Sequence, residues 1–253
     1  FPRGDYYLTE EERRMTRQVR AAFDKGAGGR PAGGGGAAAG GGPPARIPAA
    51  VRAGPGGMEG GAAIAALLTG KANPCGKLPD TFAQDLSDYP STAHFHDSPH
   101  YVEYSEDIYV GYRYFETLPR AAERVCYPFG YGLSYTSFAL ETARAGAENG
   151  KIRVAVRVAN TGNCPGKEVV QLYYSAPWGL LQKPARCLGA FQKTRLLEPG
   201  ERETVELSFA IADMASFDDL GKIAPSAWVL EKGRYTLYAG TSVREAVELD
   251  WAW

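Results

Sequence analysis

Histidine and cysteine are scarce in this sequence, with three and four among 253 residues. The cysteines, Cys75, Cys126, Cys164 and Cys187, stand far apart and form no C-x-x-C pair. That spacing excludes a zinc knuckle and a thioredoxin-like motif. A disulfide framework is uncommon in a chain of this size, so four reduced thiols are expected, which leans toward a cytoplasmic setting. The three histidines fall together at His94, His96 and His100. On a strand, His94 and His96 would share one face as a metal pair would require. Their surroundings are turn formers, Tyr89-Pro90-Ser91-Thr92 and Ser98-Pro99, so a polar surface loop is the expectation and no metal or other cofactor is assigned. Excess charge of either sign is also missing. A formal net charge of -1, with both signs spread along the chain, gives no field to attract nucleic acid or an anionic membrane surface. No apolar run reaches membrane-spanning length. The opening F-P-R-G-D has neither an initiator Met nor a basic-then-apolar signal pattern, and the chain reads as a piece of something longer.

Local patterns are clearer. Thr9 with Glu12 forms a capping-box pattern at the head of a helix running to Lys25, with Met15, Val19, Ala22 and Phe23 on its expected buried face. Residues 26–45 are a low-complexity stretch rich in glycine, expected to be a linker or a loop. Without a preceding strand or a Gly-Lys-Ser/Thr ending, it is no phosphate loop. Glu59 to Thr69 is apolar nearly all round, which predicts a helix buried on several sides and closed by Gly70.

From Lys151 the hydrophobic period changes to two. I-R-V-A-V-R-V-A-N sets Ile152, Val154, Val156 and Val158 on one face of a strand. Further strands are expected at Glu168 to Ser175, at Glu203 to Ala210 after the turn Glu198-Pro199-Gly200-Glu201, and at Arg234 to Ala239. Such spacing specifies an immunoglobulin or fibronectin III-like sandwich. The expected fold is therefore an α/β sandwich domain over residues 1–135, incomplete, with a mixed sheet and flanking helices, followed by an all-β sandwich over 136–253.

Several longer segments occur in a specific order. They are G-D-Y-Y-L-T-E-E-E, M-E-G-G-A-A-I-A-A-L-L-T-G-K-A-N-P-C-G-K-L-P-D-T-F, Y-S-E-D-I-Y-V-G-Y-R-Y-F-E, Y-P-F-G-Y-G-L-S-Y-T-S-F and N-T-G-N-C-P-G-K-E-V-V-Q-L-Y-Y, with L-L-E-P-G-E and G-R-Y-T-L-Y-A-G-T-S toward the end. In these the chain resembles the C-terminal half of the glycoside hydrolase family 3 β-glucosidases. The resemblance implies a three-part enzyme: a (β/α)8-like barrel with an Asp nucleophile, an α/β sandwich with a Glu acid/base, and a fibronectin III-like domain. It implies retaining hydrolysis of a terminal β-linked sugar, for which two carboxyl groups stand about 5 Å apart. The barrel is missing, and the family's G-E-G-x-D-R type segment belongs just ahead of Phe1. Neither Glu59 nor Glu103 matches that motif, so no catalytic residue is assigned within the chain. The glycine-rich stretch departs from the family's Val/Ile/Leu-rich central strand, because glycine packs nothing and proline removes a ladder donor. Gly54-Pro55 likewise replaces a frequent Trp-Gln pair.

The resemblance places the loop around His94 near an active-site rim, which makes Tyr101, Tyr104 and Asp107 the candidate substrate contacts. Their partner would be a β-linked glucoside or oligosaccharide held by the intact enzyme. The aromatics of I-Y-V-G-Y-R-Y-F-E, read as a strand, alternate faces and cannot line one surface, so packing is expected of Tyr109, Tyr112, Tyr114 and Phe115. Arg113 is expected to make a buried ion pair with Asp107 or Glu116. Trp178, Trp228, Trp251 and Trp253 show no regular spacing and read as packing or domain contact. The competing reading is a noncatalytic carbohydrate-binding or interaction module.

Overall fold

The computed structural model describes residues 7–22, 27–31, 49–53, 57–95 and 97–253. Two compact units divide the chain. The first takes Phe1–Ala72, Phe82–Ser105 and Glu123–Tyr127, and the second takes Asn73–Thr81, Glu106–Ala122 and Pro128–Trp253.

In the first unit, helix α1 (Glu10–Ala22) begins as its sequence dictates. The Thr9 N–H donates to Glu12 Oε2 at 2.8 Å, and the Glu12 N–H donates to Thr9 Oγ1 at 3.2 Å, closing the capping box. Met15, expected on a buried face, is instead exposed. The Val19, Ala22 and Phe23 side chains of that face lie outside the described residues. Strands β1 (Ala27–Pro31) and β2 (Ala49–Ala53) pair in parallel, Gly29 opposite Val51. A strand inside the glycine-rich stretch corrects the linker expectation over those five residues. Ladder bonds use backbone groups, which glycine keeps, so missing side chains weaken a strand without forbidding it.

Helix α2 (Gly60–Leu68) is followed by Gly70 at φ 73°, the left-handed closure its sequence required. Its burial differs from expectation, since no residue of α2 is buried. An apolar sequence records a preference for burial and does not supply the surface that provides it. Strands β3 (Phe82–Ala83) and β4 (Val125–Tyr127) pair antiparallel, and short 3-10 turns occupy Leu86–Asp88, Pro90–Ala93 and Ala121–Arg124.

The second unit is built on a two-sheet β-sandwich. One sheet joins β5 (Phe138–Glu148), β6 (Lys151–Asn160) and β9 (Arg202–Ala210), with β6 antiparallel to both neighbours. The other has the order β13 (Val247–Ala252), β12 (Thr236–Gly240), β7 (Val169–Ser175), β8 (Cys187–Lys193), again antiparallel throughout. A small hairpin, β10 (Ser216–Asp218) with β11 (Ala227–Val229), stands apart from both. Ile152, Val154, Val156 and Val158 of β6 are completely buried, as the period of two requires, and meet Val170, Leu172 and Leu237 of the facing sheet.

β7 reads as an almost continuous apolar run because it is covered on both sides. Val170, Leu172 and Tyr174 face the sandwich core, whereas Tyr173 turns to a second cluster with Val243 and Ala246, onto which Tyr112, Phe129 and Leu188 pack. Helix α3 (Tyr112–Thr117) supplies Tyr112. A helix here corrects the strand reading of I-Y-V-G-Y-R-Y-F-E. Gly111 at φ 59° admits the chain, and Leu118, held extended by the following Pro119, ends the helix after six residues.

The bend Tyr127 to Gly132 is tied to β7 by one glutamine. Gln171 Nε2 donates to the carbonyls of Thr241 (2.6 Å) and Gly130 (3.3 Å), and its Oε1 accepts from the Tyr173 hydroxyl at 2.5 Å. Gly130 sits at φ 79°, and a Cβ there would lie 2.2 Å from Gln171 Oε1. Replacing Gly130 by alanine is expected to destabilise this unit by about 2 kcal/mol, combining left-handed strain with displacement of a buried amide. Urea unfolding should show the loss, while Gly146→Ala, where a Cβ meets nothing within 4 Å, should shift stability by no more than about 0.5 kcal/mol. Equal effects from the two would show that the bend tolerates a side chain.

Candidate functional site

The three rim candidates occupy a stretch with no helix or strand from Tyr101 to Tyr104 and a turn from Ser105 to Ile108. Tyr104 is 91% exposed, Tyr101 is more than half exposed, and Asp107 is exposed at φ 49°, a region that aspartate enters more readily than most side chains. Tyr101 and Tyr104 belong to the first unit and Asp107 to the second. Two large phenol rings held in solvent, with Phe95 and Val102 also exposed nearby in sequence, present apolar faces that the first unit does not bury.

His94 Nδ1 lies 2.9 Å from Asp97 Oδ2, with both side chains exposed. His96 lies outside the described residues, as do Gly54 and Pro55. No group of three His, Cys, Asp or Glu side chains among the described residues is placed to hold a metal ion. All four cysteines are free, and burial pushes the Cys187 thiol up.

The aromatic segments do pack. Tyr112 stacks on Phe129 with centroids 4.5 Å apart and meets Tyr173 edge-on at 6.3 Å, and Phe115 is completely buried. The Leu188 N–H donates to the Tyr112 hydroxyl at 2.8 Å, which pins α3 to β8. Arg113 does not make the expected pair with Glu116, whose carboxylate is taken by Arg244 at 2.8 Å. Its surroundings are the Tyr112 hydroxyl, Cys187 and Tyr174. A spacing of three within a helix would have allowed the pair, so the loss lies in tertiary packing, which brings Arg244 to the Glu116 carboxylate.

A place that local reading missed is an open groove of about 590 Å³ on the second unit. Pro177 and Trp178, just beyond β7, give it an apolar wall, and Trp178 is 73% exposed. Arg186, Arg234 and Arg244 line it, against the single carboxylate of Glu116. The Arg186 guanidinium lies over the Tyr238 ring at 4.3 Å and donates through Nη1 to the Val243 carbonyl. These residues come from separate segments of the chain and form no motif. The tryptophans divide accordingly. Trp251 packs on the core and Trp253 against Tyr235, while Trp228 meets Phe217 edge-on at 5.4 Å although largely exposed, and Trp178 stands exposed at the groove.

A four-stranded and a three-stranded antiparallel sheet, preceded by a mixed α/β unit, agree with two family models. The glycosyl hydrolase family 3 C-terminal domain matches residues 34–135, and the fibronectin type III-like domain matches residues 168–243. The chain belongs to glycoside hydrolase family 3, with an α/β domain of the family's C-terminal type followed by a fibronectin III-like β-sandwich. Among curated relatives, "Beta-glucosidase A" of Butyrivibrio fibrisolvens is 50% identical over 268 aligned residues, covering all of this chain and 32% of its own length. A β-glucosidase structure from Paenibacillus barengoltzii superposes with a TM-score of 0.87 at 44% identity, covering 97% of this chain and 27% of that one. The structure of β-glucosidase 3B from Thermotoga neapolitana in complex with glucose gives 0.81 at 35% identity, covering 99% of this chain and 34% of that one. The chain therefore spans about a third of the length of the proteins it matches.

Proposed function

We propose that this chain is the acid/base-side scaffold and terminal sandwich of a retaining β-glucosidase, divided into a family 3 C-terminal domain over 1–135 and a fibronectin III-like domain over 136–253. The observation that carries the reading is the 50% identity to a β-glucosidase along the entire chain. In this reading the substrate is a β-linked glucoside or oligosaccharide, the nucleophile comes from a (β/α)8 barrel, and Tyr101, Tyr104 and Asp107 contact the leaving-group side. The packed positions of Tyr112, Phe115 and Phe129 favour it over a carbohydrate-binding module built on those rings.

The chain alone is expected to release no aryl alcohol from an aryl β-glucoside, because the chemistry needs two carboxyl groups about 5 Å apart and none is assigned here. A turnover of about 1 per second or more by the purified chain would place the catalytic residues within it and overturn the division of labour. In the barrel-containing parent, Tyr104→Ala should raise KM more than it lowers kcat. Unchanged kinetics there would remove Tyr104 from the rim.

A further inference from the structure

The groove on the second unit carries chemistry that glucoside hydrolysis does not use. We propose that it binds a saccharide bearing a carboxylate, a short oligosaccharide of uronic acid, with one sugar ring on the Trp178 indole and the carboxylate on the guanidinium groups. The inference stands apart from the proposed function, since it concerns binding by the sandwich and no hydrolytic step.

Each part of the groove suits that ligand. Its volume of about 590 Å³ lies within the range of small-molecule clefts, and its open form suits a ligand entering along its length. Trp178 and Pro177 present an apolar wall to the C–H face of a pyranose, at little cost in side-chain freedom. The guanidinium groups are already held. Arg186 is fixed by the Tyr238 ring, over which its guanidinium lies, and through Nη1 by the carbonyls of Val243 and Ala246. Arg244 is fixed by Glu116 through Nε and by the Ala122 carbonyl through Nη2. Arg234 uses Nη2 on Glu248 at 3.1 Å. Arg186 Nε and Nη2, Arg234 Nε and Nη1, and Arg244 Nη1 have no protein acceptor among the described residues. A planar fork with unused N–H groups matches a carboxylate in two-point contact, and holding it beforehand removes part of the ordering cost. Three guanidinium groups against the carboxylates of Glu116 and Glu248 leave the groove one positive charge in excess, that of Arg186. A neutral sugar would bring no partner for that charge.

The test is a titration of the 253-residue chain with a galacturonic acid trimer, a neutral galactose trimer, inorganic phosphate and a glutamate-rich peptide, read by calorimetry and indole fluorescence. The acidic trimer should bind saturably and more weakly as salt rises, with the neutral trimer about tenfold weaker or worse. Trp178→Ala and Arg234→Gln should each weaken it by about tenfold while leaving the urea midpoint in place, since both side chains are largely exposed. Absence of binding at millimolar acidic trimer, or equal binding of the neutral trimer, would overturn the proposal. So would phosphate or the peptide binding as tightly, which would reveal an unselective cationic patch. Binding that both variants leave unchanged would place the ligand elsewhere and overturn it too.

Discussion

Replacing Asn160 by aspartate is expected to cost the second unit about 3 kcal/mol at neutral pH and to make its stability fall as pH rises. Asn160 ends β6 completely buried, and its amide uses every side. Oδ1 accepts from the Thr136 hydroxyl at 2.7 Å and from the Gly162 N–H at 3.1 Å. Nδ2 donates to the carbonyls of Cys164 at 2.9 Å and Leu197 at 2.8 Å. One side chain thus ties the residues leading into β5, the N-T-G-N-C-P-G turn and the segment before β9 together. A carboxylate would turn an oxygen toward two carbonyl oxygens, in a place where an unpaired charge is costly. Only the protonated acid can donate there, so the folded pKa of the new carboxyl would rise above its unfolded value of about 3.9. For a group raised on folding, stability is fully present below the unfolded value and is lost as pH rises through the folded one. Urea unfolding of Asn160→Asp should therefore approach wild type in acid and diverge from it toward neutrality. Asn160→Leu, which has nothing to titrate, should be destabilised by a similar amount at every pH. A variant within about 1 kcal/mol of wild type from acid to neutrality would show that the network is dispensable.

The second large effect concerns Lys183 and Glu231. Lys183 is 3% exposed, and its ammonium donates to Glu231 Oε2 and, at 3.1 Å, to the Leu181 carbonyl. Glu231 also accepts the N–H groups of Leu180 (2.8 Å) and Leu181 (3.3 Å). Glu231→Gln leaves shape nearly intact and a buried ammonium without its counter-charge, for a loss of about 3 kcal/mol. Lys183→Met in the same chain should return part of that loss, because the stranded charge then disappears. Burial works against the Glu231 charge, yet Lys183 and the two backbone N–H groups outweigh it and hold the carboxyl below its usual range. A carboxyl depressed on folding contributes stability that is present above its unfolded pKa of about 4.3 and lost as pH falls through the folded value. The gap between wild type and Glu231→Gln should therefore narrow in strong acid. A gap that stays constant through that range would mean that the pair contributes by packing alone.

Both predictions rest on residues that a pattern reading passes over. Asn160 was legible as the close of a strand, but its four partners stand at Thr136, Gly162, Cys164 and Leu197, two of them more than twenty residues away. Lys183 and Glu231 are separated by 48 positions. No window of sequence contains such pairs.

Local physics, by contrast, was readable wherever the determinant lies within one turn or one strand. The Thr9–Glu12 box, the left-handed Gly70 and the alternation from Ile152 to Val158 were determined by neighbouring residues, and they occur as read. The order of the family segments also carried the α/β-then-sandwich architecture. Which face an element buries was a different matter. α2 is apolar yet unburied, Tyr112 belongs to a helix on the outer face of β7, and Glu116 pairs with Arg244 from 128 positions away. The groove of Trp178 and three arginines likewise exists only because the sandwich brings the end of β7, the approach to β8 and β12 side by side. Period, capping and turn chemistry are short-range and are written in consecutive residues. Partners across a sheet are chosen by the packing of the whole unit, and only the tertiary structure decides them.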